Sequence, residues 1–360
     1  MRYRPLAAAL VALGSVAISI SAPSAQQVLP VSVELGDVSL TKLPFIVAAE
    51  GGIYERNRLN VSQFISPRAA ELIRQSSGLV VPKEFVHTGP SDINIGGGSP
   101  TIVRMTTDAR APQRIILATT EAIVRFHIIT RGDITRVEDL KGKRVGFSSI
   151  GALSHLAFMQ LAQKMGWDAK ADLSMFANGA GPEELKSKKV DAYAADVIAF
   201  DEAKKAGLYD LVDLATYKFP MPGSGVNADT NWLPKNRETA ARFVKATVEA
   251  VALLKTDKET TFKAMAKWYG ITDRERQESI YKEVAGLPSK PYPSVEGLQK
   301  MIEIYDWREM RRHKPEDFFD ASFVIELDKS GYIDGLYPKP KNWSVAPPAN
   351  LNWQHARIGS

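Results

Sequence analysis

From Val31 onward, short apolar and β-branched runs alternate with segments whose apolar positions recur every three or four residues. That alternation is the mark of parallel βαβ units and predicts an α/β fold. Residues 31–35 read as the first strand, and 44–50 as a helix that opens on proline and stops at Gly51-Gly52. Residues 59–64 and 92–95 read as strands with a helix over 69–75 between them. A helix from Ser99-Pro100 to Thr107 and a strand over 114–119 follow.

At 121–130 the rhythm breaks, because a second β-rich run, 123–129, follows with no helix between. Such an abutment predicts a crossing between two lobes. The rhythm then restarts: strand 144–147, amphipathic helix 153–165, strand 173–176, short helix 183–188, strand 192–195, helix 198–205. Pro220, Pro222, Gly223 and Gly225 mark a crossing back between 214 and 226. Beyond Trp232 no strand signal remains. Ala240, Phe243, Val244, Val248, Val251 and Leu254 form one apolar stripe, and further helices are expected over 257–269, 273–284 and 294–310. The expected division is a discontinuous lobe 1 (28–120 with 221–335), a lobe 2 (121–220), and an extended tail over 336–360.

Ahead of this pattern, Met1 to Arg4 carries two arginines, 5–20 is apolar and uncharged, and Ser21-Ala22-Pro23-Ser24-Ala25 ends the run in small residues. This predicts a signal peptide over 1–25, cut near Ser24 or Ala25 and too short to span a membrane. Composition narrows the rest. The 360 residues are 44% hydrophobic and 24% charged, enough for one large core or two modest ones. Losing Arg2 and Arg4 leaves 44 basic against 41 acidic residues, no nucleic-acid signature. The absence of cysteine excludes disulfides, thiol nucleophiles, thiolate zinc sites and a lipid on the cut end. The five histidines include no pair at metal-ligand spacing, so neither metal nor cofactor is expected. A non-lipidated protein of the periplasm, acting as a monomer, is the resulting expectation.

In doubly wound sheets ligands bind beyond the carboxyl ends of strands, where loops enter helix N-termini. Four such places stand out: Thr41-Lys42-Leu43-Pro44-Phe45, Gly96-Gly97-Gly98-Ser99-Pro100, Ser148 through His155, and Asp196. Free amides and the positive end of the helix dipole suit a carboxylate, sulfonate or phosphate group. Alternatively, Ser99 and Ser149 cap helices and the glycines merely turn. His155 could bond an anion or sit on a helix surface. Glu121 and Asp196 could meet a cationic group or be solvated loop carboxylates, and Arg125 could be a counter-ion or an interlobe ion pair. Phe45 and Tyr193 could wall a pocket or belong to the core. Catalytic motifs are missing: there is no Gly-x-Ser-x-Gly elbow, no phosphate-binding loop, and no dinucleotide fingerprint.

The stretch from Lys42 to Val61, with Asp92-Ile93-Asn94-Ile95-Gly96-Gly97-Gly98, Val137 to Gly146, and Lys189-Val190-Asp191-Ala192-Tyr193-Ala194, resembles in order the signatures of the nitrate, sulfonate and taurine type of periplasmic substrate-binding proteins. The resemblance implies a type II periplasmic-binding-protein-like fold, two doubly wound α/β lobes on a two-segment hinge. It implies capture of a small organic anion or zwitterion and delivery to the permease of an ATP-driven importer. By position it carries ligand contacts over to Leu43, Pro44 and Phe45, to Gly98 and Ser99, and to Glu121. It carries others to Ser149, Gly151, Ala152 and His155, and to Asp196 and Ser224. No sulfonate-specific set is matched, and Glu121 and Asp196 would repel a simple dianion. The rival readings are an enzyme on the same scaffold, a desulfinase or pyrimidine synthase of the kind that depends on cysteine, and a two-lobed ligand sensor.

Overall fold

The structure is a computed structural model that describes residues 27–338; the expected signal peptide and residues 339–360 of the expected tail lie outside the described residues. Among the described residues ten strands form two five-stranded sheets. The first contains β1 (Leu29–Leu35), β2 (Leu59–Ile65), β3 (Ile93–Gly97), β4 (Arg114–Thr119) and β10 (Ser224–Asp229). The second contains β5 (His127–Thr130), β6 (Arg144–Phe147), β7 (Ser174–Ala177), β8 (Ala192–Ala195) and β9 (Tyr209–Asp213).

The strand orders, β2-β1-β3-β10-β4 and β7-β6-β8-β5-β9, are the same order twice. In each sheet three strands pair in parallel, and the fourth neighbour runs against them: β10 is antiparallel to β3 and β4, β5 to β8 and β9. The antiparallel strand is in each case the first one reached after the chain crosses from the other sheet. A crossover helix returns a chain parallel to its last strand, whereas a direct entry from the opposite sheet carries no such constraint.

The two crossings lie side by side, joined by an antiparallel bridge between Ile123 and Pro220. Of the β-rich run 123–129 only the end, from His127, enters a sheet; the preceding residues are spent on the crossing. Gly223, at φ +70°, passes so close to the Glu121 carbonyl that no side chain fits there. Two strands escape the hydrophobic pattern. β9 is an edge strand with exposed Tyr209 and Asp210, and β10 is hidden behind the proline and glycine cluster that feeds it.

Helices cover the sheets. In β1, Val31, Val33 and Leu35 point inward at period two, onto a core that includes Phe45, Phe243 and Val248. Phe243 and Val248 sit on Arg237–Thr256, the helix of the apolar stripe. A second core joins Ile102, Val103 and Ile116 of the first half to Leu156, Phe158 and Leu161 of the second. Helix Val295–Tyr305 contributes Leu298, Met301 and Tyr305 to it. The two halves are thus closed on one another by continuous apolar packing, not merely tethered.

Candidate functional site

Between the sheets lies a cleft of about 630 Å³, lined from both halves by the turns that follow strands. From the first half come Asp37, Thr41 and Lys42 after β1, Asn94 and Gly96 of β3, and Ser224 of β10; from the second come Ser148 and Ser149 after β6, Asn178 after β7, and Asp196 after β8. Glu121, Arg125 and Met221 line it from the crossings. Hydroxyl and charged side chains are interspersed with apolar ones, and Phe126, His127 and Phe200 are its only aromatic rings among the described residues.

The floor is built around Lys42, whose side chain is only 1% exposed. Its ammonium donates to Asp37 Oδ2 at 2.7 Å, to Ser224 Oγ at 2.8 Å and to Thr41 Oγ1 at 3.4 Å. Opposite stands Asp196, the N-cap of helix Val197–Lys205. Its Oδ1 accepts from the amides of Ile198 (3.1 Å) and Ala199 (2.9 Å). Burial pushes the Asp196 carboxyl up to about 6, with the charge of Asp37 adding to the rise; the two amides and Lys42 oppose it. At the hinge, Glu121 is buried, and burial raises its pKa against the pull of Arg125. Arg125 Nε meets Glu121 Oε2 at 2.5 Å, and its Nη2 donates to the Gly286 carbonyl at 2.8 Å. Arg125 is therefore an internal tie across the hinge.

Five of the positions carried over by resemblance line this cleft: Glu121, Ser149, Ala152, Asp196 and Ser224. The other seven lie elsewhere. Leu43, Pro44 and Phe45 are buried in helix Leu43–Glu50, with Phe45 stacked on Phe243 at 6.2 Å, because the helix turns these apolar residues to the core and leaves Thr41 and Lys42 at the cleft. Gly98 packs its backbone on the crossing, its N–H donating to the Gly223 carbonyl at 2.6 Å. Gly151 packs against Val103 at φ +82°. His155 faces a separate cavity of about 390 Å³ beside Tyr305 and Trp307. There its Nδ1 accepts from the Gly151 amide at 3.2 Å, and burial lowers its pKa to about 4. Tyr193, considered as a wall, is a core residue of the second half.

Neither serine expected to cap does so. The helix that holds Ser99 spans Gly98–Thr107 with Gly97 as its N-cap, and Ala152, not Ser149, precedes Leu153–Lys164. Ser99 instead donates its buried hydroxyl to the Gly151 carbonyl at 2.7 Å, a bond between the halves. Ser99→Ala should cost about 1 kcal/mol in urea unfolding, the net worth of one buried hydrogen bond. The lining residues that resemblance did not select include Lys42, Asp37 and Asn94. Lys42 belongs to the first of the four strand-to-helix loops, and its sequence signal is a lone basic residue just after the turn that follows a strand.

Two mixed sheets of the same order, hinged by paired crossings and facing a cleft at their carboxyl ends, define a periplasmic-binding-protein fold of type II topology. The structure is similar to the alkanesulfonate-binding protein SsuA from Xanthomonas axonopodis pv. citri bound to MOPS, with TM-score 0.61 and 14% identity over 83% of this chain and 100% of that one. It is similar to the periplasmic nitrate-binding protein NrtA from Synechocystis PCC 6803, with TM-score 0.62 and 13% identity over 87% and 91%. The desulfurization enzyme DszB shares the fold at TM-score 0.55 and 15% identity over 84% and 99%. At such identities the likeness is one of fold. No curated protein sequence matches the chain. The family model described as NMT1/THI5 like matches residues 41–260, well over half of the chain, and the chain belongs to that family.

Proposed function

We propose that the protein is the solute-binding component of an ATP-driven importer, working in the periplasm as a monomer and delivering a small organic anion or zwitterion to a membrane permease. One observation carries this reading: a cleft whose polar floor is assembled from strand-to-helix turns of both halves. A solute that touches Lys42 and Ser224 on one side and Asp196 on the other binds the closed state better than the open one and shifts the population toward it. A solute held by one half would shift nothing. Family membership and the two binding-protein likenesses favour transport. Against the enzyme reading, which the likeness to DszB keeps in view, the chain offers no cysteine nucleophile. Among the described residues no helix is long and apolar enough to cross a membrane.

Thermal unfolding with taurine, ethanesulfonate, nitrate, benzoate and neutral sugars tests it. At a hundredfold excess over Kd a true class adds about 2.7 kcal/mol and raises Tm by several degrees. The same compound should reduce the radius of gyration in X-ray scattering. Stabilisation by sugars alone, or scattering unchanged by a stabilising compound, overturns the proposal.

A further inference from the structure

We propose that the protein has a second ligand site, apart from the cleft: the cavity of about 390 Å³ beside His155, Tyr305 and Trp307 takes a planar aromatic carboxylate. Its volume is that of a small-molecule pocket. One wall is a row of stacked rings, with centroids 4.4 Å apart from Phe147 to His155, 5.4 Å from His155 to Tyr305 and 4.8 Å from Tyr305 to Trp307. The row ties helix Leu153–Lys164, which holds His155, to the end of helix Val295–Tyr305. Trp307, last in the row, is half-buried, and so are Met159 and Met175, which also line the cavity. Indole and thioether surfaces left half open in one hollow favour a flat, polarisable ring over an aliphatic chain.

The polar groups of the cavity call for an anionic acceptor. The Gly151 amide, 3.2 Å from His155 Nδ1, can only donate, so in the neutral ring the proton sits on Nε2. The Tyr305 hydroxyl, also 3.2 Å from Nδ1, donates to the same lone pair. Nε2 has no acceptor among the described residues. His155 is 8% exposed and lines this cavity and not the cleft, so an unpartnered N–H opens into it. Exposed Lys170 stands at the rim and makes no ion pair among the described residues. No acidic side chain among the described residues lines the cavity. Of those close to it in the chain, Asp306 is bound to Arg311 at 2.6 Å and Asp172 to Lys141 at 3.5 Å, while Asp168 accepts from the amides of Lys170 and Ala171. A carboxylate answers both groups, accepting from His155 Nε2 and pairing with Lys170, while its ring lies against Trp307.

Calorimetry on the whole protein with matched probes tests this: 2-naphthoate, its ring-saturated decahydro analogue, and uncharged 2-naphthamide. 2-Naphthoate should bind, and each analogue should bind about tenfold more weakly, for want of ring stacking or of charge. Ser174→Trp, at an exposed position of β7 that lines the cavity, fills it and should abolish binding. Lys170→Glu turns attraction into repulsion and should weaken binding about tenfold. Neither residue lines the cleft, so any stabilisation by taurine or ethanesulfonate should be the same in both variants as in the wild type. No binding of 2-naphthoate at about 1 mM, equal binding of either analogue, or binding unchanged in either variant overturns the second site and leaves the solute-binding reading standing.

Discussion

Arg276→Met should lower stability by about 3 kcal/mol and let the two halves part, with a larger radius of gyration and an unchanged far-ultraviolet circular dichroism spectrum. Arg276 is 8% exposed and sits on helix Arg274–Val284. Ile280 and Val284 of that helix pack into the core of the first sheet. Its guanidinium reaches the other half, where helix Val197–Lys205 packs through Ala199 and Ala203. Nη1 lies 2.8 Å from Glu202, Nε lies 3.4 Å from Asp201, and Nη2 donates to the Ile198 carbonyl at 3.2 Å.

Breaking a buried pair from one side costs roughly 3–5 kcal/mol, mostly for the charge left behind. The low end applies here, because Glu202 is 28% exposed and Asp201 keeps Lys204 and Lys205 at 3.7 and 3.6 Å. Methionine preserves the apolar packing of the stem, so the loss is electrostatic. A double-mutant cycle with Glu202→Gln isolates the pair, with an expected coupling above 0.5 kcal/mol. A variant with wild-type stability and scattering would mean that the shared apolar core alone holds the halves together.

How far the sequence led depends on burial. β4, β6 and β8 have the bounds that the pattern predicts, because each is a short apolar run closed at both ends by charge, turn or cap residues. The edge strand β9 lacked such a signal, being half solvated. The resemblance picked loops that line the cleft, and often a residue within them that does not. Phe45 and Thr41 share one loop, and only the phase of the helix decides which faces solute; starting at Leu43, it buries Phe45. Asp37 in Gly36-Asp37-Val38 looks like any turn aspartate until the fold sets Lys42 beside it. A hydrogen bond across 182 residues, as between Lys42 and Ser224, has no local trace at all.

Asp196→Asn should make the protein more stable at pH 7.5, by about 3 kcal/mol, and leave it unchanged at pH 4. The native carboxyl, at about 6, holds its proton over a range where the unfolded chain, near 3.9, has released it. The stability it lends is complete below the unfolded value and is lost as pH rises through 6, to the extent of about 1.4 kcal/mol per unit of displacement. Asparagine keeps the two amide bonds of the cap and never ionises.

His155 acts in the opposite sense. Its native value near 4 lies below that of the free imidazole, so its contribution is present above 6.5 and is lost, again by about 3 kcal/mol, as pH falls to 4. In the wild type the two nearly cancel between pH 4 and 6, and the stability profile there should be flat. In Asp196→Asn the histidine is unopposed and the acid limb steepens; adding His155→Gln should flatten it again. Urea unfolding at pH 4, 5, 6 and 7.5 reads all three chains. A variant no more stable than wild type at pH 7.5 would show that the Asp196 charge is well solvated. A gain there would show a cleft that gives up stability to keep a charge ready for its cargo.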